Sequence, residues 1–93
     1  ATLDVNTFSD TIGSLAGAGS LTNASATAGT DTLTFGGLGT TTVFSGTISD
    51  NVAILALTKT GSGTTTLSGN NSYDGLTTVS AGTLVAASST ALG

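Results

Sequence analysis

The segment Leu57–Gly93, LTKTGSGTTTLSGNNSYDGLTTVSAGTLVAASSTALG, constrains the fold more than any other part of the chain. It strings short Thr/Val/Leu stretches between corners of Gly, Asn and Asp. Such stretches favour strands, and the residues that break them supply turns. No helix uses this pattern, and a stack of hairpins does not need so many corners. The pattern suits a chain that coils turn upon turn and pairs each strand with its equivalent one turn later. The expected fold is therefore all-β, a parallel β-helix (β-solenoid) of about four rungs.

Composition agrees. The 93 residues allow a single domain, read as one β-solenoid segment over 1–93. Thr and Ser together number 33, and only 6% of the residues are charged. Low charge with abundant Gly and Ser also describes a disordered linker, but the regularly spaced Leu, Val, Ile and Phe argue for order. Five Asp and one Lys give a net charge of −4. A chain without a Lys/Arg footprint is not expected to bind nucleic acid, and the same lack disfavours anionic membrane surfaces. No apolar run is long enough for a membrane helix. There is no basic n-region followed by an apolar h-region, so a mature chain or a piece of a longer one is expected. The lack of Cys excludes disulfides and thiolate metal sites.

Internal repeats support the coil. Gly37–Val43 and Gly61–Leu67 share GxGTTT plus an aliphatic residue, 24 positions apart. Gly75–Val79 repeats the core of that pattern 12 positions further on, and FSxTI recurs at Phe8–Ile12 and Phe44–Ile48. These offsets predict a rung of about 24 residues with two similar halves or three short faces. Residues two apart share a face, so Leu3/Val5, Leu33/Phe35, Thr65/Leu67, Thr77/Val79 and Leu84/Ala86 are expected to point inward. Between Val52 and Leu57 the phase slips, which predicts a corner or bulge. Asn23–Thr30 has no apolar side chain larger than Ala and reads as a protruding loop.

Neither end reads as a cap. Ala1–Val5 begins directly as a strand, and Ser88–Gly93 looks like a loop leading to another rung. The expectation is a slice of a longer solenoid, a tandem unit, or copies stacked end to end. Self-association is then expected at the end rungs, through Leu3, Val5, Leu84 and Ala86.

The C-terminal part, 57–93, resembles the autotransporter-associated β-strand repeat, also called the passenger-associated transport repeat. The resemblance runs through Leu57–Gly63, Leu67–Asn71, Tyr73, Gly75, Thr77–Val79, Ala81–Leu84 and Ala91–Gly93. The preceding 1–56 is more loosely similar to what accompanies this repeat. Thr65 departs from a usual Leu, placing a hydroxyl inside, and Leu76 from a usual Gly, adding an apolar corner. The resemblance implies a right-handed β-helix in a bacterial passenger protein, exported through the outer membrane to the cell surface or beyond.

Chemistry is sparse. Without His or Cys, neither a Ser-His-Asp triad nor a thiol nucleophile can be assembled. Asp10 and Asp50 occupy related turns and could meet across rungs, but Asp at a Gly-rich turn more often caps its own backbone. Lys59 is read as a solvated edge residue. Asp31 and Asp74 offer at best weak Ca²⁺ ligands, so no metal or cofactor is expected, and no enzyme. Tyr73 is read as packing over a corner rather than stacking on a glycan. The Thr triplets at 40–42 and 64–66 raise an ice-binding ladder, against the plainer reading of Thr as a strand former. Two roles remain: a structural stalk or fibre module that stacks on itself, or an adhesin presenting the 23–30 loop or a Thr face to a glycan or host surface.

Overall fold

The computed structural model describes residues 2–4, 9–23 and 28–92. Their strands are β1 (Thr2–Asp4), β2 (Asp10–Ile12), β3 (Ser20–Asn23), β4 (Gly29–Phe35), β5 (Thr42–Phe44), β6 (Thr47–Asp50), β7 (Ala53–Lys59), β8 (Thr64–Leu67), β9 (Thr77–Val79) and β10 (Thr83–Ala86). They form three parallel faces: β1-β3-β6, β2-β4-β7-β9 and β5-β8-β10. Each strand pairs with the strand one turn before or after it. No helix occurs among the described residues. The architecture is a β-solenoid, as the corner spacing predicts.

It makes about three turns rather than four, because only the second face reaches four strands. In the first turn the third face shrinks to a bridge between Gly17 and Phe44. After β8, residues 70–72 cross the first face without forming a strand.

The turn is not a fixed 24 residues. Thr2 pairs with Ser20, 18 positions on, whereas Ser20 pairs with Thr47, 27 positions on. The two FSxTI copies fall on different faces: Ile12 pairs with Phe35 on the second and Ile48 with Leu21 on the first. The GxGTTT match is nearer, but one residue out. It aligns Val43 with Leu67, whereas Leu67 pairs with Phe44 and Val43 with Thr66. A single-residue slip exchanges the faces of a strand. Phe44 is therefore buried and Val43 is 54% exposed.

Inside, Leu21, Leu33, Phe35, Phe44, Ile48, Leu55, Leu57 and Leu67 form one apolar core with Tyr73 and Ala91. The expected phase slip is a corner at Asn51–Val52, after which Ala53, Leu55, Leu57 and Lys59 alternate inward along β7. Two glycine-bearing corners run up the solenoid. Gly46 and Gly69 each sit so close to the glycine carbonyl one turn below (Gly19 and Gly46) that a Cβ would collide with it. At the other corner Gly36, Gly61 and Gly82 all have positive φ, which glycine adopts without strain.

Candidate functional site

The predicted association residues lie at both ends of the stack. Leu3, on β1, is 37% exposed, while Leu84, on β10, is half-buried against the core and Ala86 is exposed. Val5 lies outside the described residues, as do residues 24–27 of the expected 23–30 loop, while Asn23 ends β3 and Gly29 and Thr30 begin β4.

The carboxylates are dispersed. Asp10 sits on β2 in the second face and Asp50 ends β6 in the first, so the two do not form a pair. Asp50 instead caps a corner, its Oδ2 accepting from the N–H groups of Leu55 at 3.0 Å and Asp74 at 2.7 Å. Asp31 accepts from Asn23 Nδ2 at 3.0 Å, and the same amide donates to the Ile54 carbonyl at 3.2 Å. Asn23 is fully buried, and its side chain serves as a structural amide. No group of three acidic, His or Cys side chains suited to a metal ion occurs among the described residues.

Lys59 corrects the expectation of a solvated edge residue: it is 1% exposed. The alternation of β7 turns it inward, in register between Phe35 and Val79. Its Nζ donates to the Thr60 carbonyl. The glycine corner makes the room, since a Cβ on Gly36 or Gly82 would stand 2.8 or 2.9 Å from Nζ. The inward phase of Ala53, Leu55 and Leu57 carried this signal in the sequence, and the charge masked it.

Tyr73 packs in the core, 2% exposed, with its hydroxyl 2.6 Å from Thr77 Oγ1. Burial raises its pKa, and the hydrogen bond to Thr77 partly offsets the rise. Asn71 is a further buried polar group, one whose burial sequence reasoning did not anticipate. Its side chain accepts from the Ile48 N–H and donates to the Ala91 carbonyl.

The Thr triplets do not form an outward ladder. Thr42 pairs with Thr65, which is buried as its departure from Leu implied, and outward Thr66 stands between Val43 and Val85. A Thr row does form on the second face, where Thr11, Thr34, Thr58 and Thr78 succeed one another in register. The neighbouring columns are Asp10–Leu33–Leu57–Thr77 and Ile12–Phe35–Lys59–Val79. Beside the Thr row a shallow groove of about 410 Å³ is lined by Thr30, Thr32, Ile54 and Ala56, with Leu76 and Asp74 on its wall. Leu76 is 80% exposed, the apolar corner its departure from Gly implied.

Residues 57–86 match the model of the passenger-associated-transport-repeat family. The match begins at Leu57 within β7 and ends with β10, so it covers the stacked strands β8, β9 and β10 and the corners between them. The match covers about a third of the chain, and this stretch is similar to such a repeat, a likeness that implies a secreted or surface protein. Neither the curated proteins nor the solved structures contain a match.

Proposed function

We propose that this chain is a structural spacer of a bacterial passenger protein, a stretch of stalk or fibre lengthened turn by turn at the cell surface or beyond it. The observation that carries this reading is the parallel, in-register pairing of each described strand with its neighbour one turn away. Together with the likeness to the repeat at 57–86 it supports a rod, and the side chains inside serve packing and corner hydrogen bonds. The role needs no catalysis and no cofactor.

Joining two, three and four copies head to tail in one polypeptide tests it. Each copy should lengthen the particle by about 14–19 Å, three to four turns at ~4.8 Å each, with constant width by small-angle scattering. Beads of constant diameter on flexible linkers would overturn the spacer reading.

A second reading, a binding module, is favoured by the groove beside the Thr row, with its hydroxyls and the exposed Leu76. Its occupant would be a neutral glycan, held by hydroxyls without ionic contacts. Retention on a panel of immobilised glycans, lost in Ala56→Lys, is the expected result of that reading.

A further inference from the structure

Strands β2 and β9 stand at opposite ends of the second face, and each has one partner among the described strands. We propose that separate copies of the chain associate end to end, β9 of one copy pairing in parallel with β2 of the next. The register sets Thr77 against Asp10, Thr78 against Thr11 and Val79 against Ile12. The inference rests on the spacer reading and adds its partner, a second copy of the chain.

The polar residue Asp10 carries the argument. It occupies the inward-facing column continued by Leu33 and Leu57, yet lies exposed on the edge strand. A turn laid over β2 covers this carboxylate, which is costly unless that turn brings a hydrogen-bond donor. An inward-pointing charge is also a device by which edge strands refuse unsuitable partners. Strands β4 and β7 present leucine in that column, whereas β9 presents Thr77. Tyr73 Oη and Thr77 Oγ1 share one hydrogen across 2.6 Å, so one of the two hydroxyls keeps an O–H to donate to the arriving Asp10 carboxylate.

The flanking columns fit as well. Val79, 49% exposed, continues the apolar column onto Ile12, and Thr78 extends the outward hydroxyl row onto Thr11. Asp10 thus selects the strand that ends the face and rejects those in its middle.

The chain has no cysteine, so a disulfide trap is clean. In the variant Thr11→Cys/Thr78→Cys the two positions are three pairing steps apart within one chain, about 14 Å, too far to bridge. Across the proposed junction they are direct neighbours at ~4.8 Å, within the Cα separations that disulfides accept. Mild oxidation should give a ladder of multimers on non-reducing electrophoresis. Thr11→Cys/Thr66→Cys, whose cysteines lie on different faces, should stop at dimers. Adding Thr77→Leu to the trap should reduce the ladder at least tenfold, and adding Asp10→Leu as well should restore it.

Equal ladders from both cysteine pairs, or none from the first in a chain that keeps its β circular dichroism, would overturn end-to-end association. Joined copies that still lengthen the particle would then leave the spacer reading standing alone, so the two failures are distinguishable.

Discussion

The Asn71 side chain takes the place of a missing strand: its Oδ1 accepts from the Ile48 N–H at 2.8 Å while its Nδ2 donates to the Ala91 carbonyl at 2.7 Å. A backbone group buried without a partner costs about 1–3 kcal/mol. Asn71→Ala leaves two such groups, so stability should fall by about 2–6 kcal/mol in urea unfolding. Hydrogen exchange locates the effect, since the Ile48 amide should lose protection in Asn71→Ala and keep more of it in Asn71→Asp, which retains an acceptor.

Lys59 has two structural roles that substitution can separate. Its stem fills the column between Phe35 and Val79, and its ammonium bonds the Thr60 carbonyl. Lys59→Ala empties the column and should cost about 2–4 kcal/mol, the range for large-to-small changes in a core. Lys59→Met keeps most of the stem and should cost less. Equal losses in the two variants would mean that the ammonium, not the packing, holds the corner.

Gly61 has φ of +73°, and a Cβ there would run into the Gly36 carbonyl of the turn below. Gly61→Ala should therefore destabilise by about 3 kcal/mol or more, backbone strain of about 1–3 kcal/mol being joined by the collision. Gly37 has nothing within 4 Å of its would-be Cβ, and Gly37→Ala should change the unfolding midpoint little. The pair of variants separates corner geometry from loss of glycine as such.

Tyr73 is the only tyrosine, and the chain has no Trp, so its ionisation can be followed by absorbance near 295 nm without interference. Burial raises its pKa in the folded state above the ordinary value of 10.0. The unfolded chain then loses this proton before the folded one does. The group's contribution to stability is full below about pH 10 and is lost as pH rises through the folded pKa. Thermal midpoints should fall above pH 10 in the native sequence and fall less in Tyr73→Phe, whose alkaline slope loses this component.

Phe44 and Val43 test the register of the third face. Phe44→Ala should cost about 3–5 kcal/mol as a core truncation, and Val43→Thr about 0.5 kcal/mol or less as an exposed change. A reversed order would mean that the GxGTTT alignment, not the pairing of Phe44 with Leu67, describes the strand.

These residues also show what the sequence reveals and where it misleads. Alternation identifies inward Leu33, Phe35, Thr65 and Leu67, because strand periodicity is local. The Asn51–Val52 corner is legible for the same reason. Inter-turn register is not local, and a Thr/Gly-rich chain aligns with itself almost as well one step out as in phase. Hence the GxGTTT match sets Val43 beside Leu67, one step from its true partner, and the FSxTI copies suggest an equivalence that the faces do not share. Lys59 and Asn71 escape notice because polar residues are expected at the surface. The burial of Lys59 depends on a glycine corner, and that of Asn71 on the Ile48 N–H and the Ala91 carbonyl of neighbouring turns. The Thr row on the second face has the same origin: its members come from four strands that no short motif links.

The variable turn length has a consequence for how such a rod is made. Paired strands are separated by 18 residues at least, as from Thr2 to Ser20, and by 27 at most, as from Ser20 to Thr47. Closing a loop of 27 residues rather than 18 costs only about 0.4 kcal/mol more in chain entropy. Every turn is therefore closed at nearly the same entropic cost, however many turns already lie beneath it. Growth of the stack depends on the turn just completed and not on the far end of the chain, so length can accumulate without slowing the addition of the next turn.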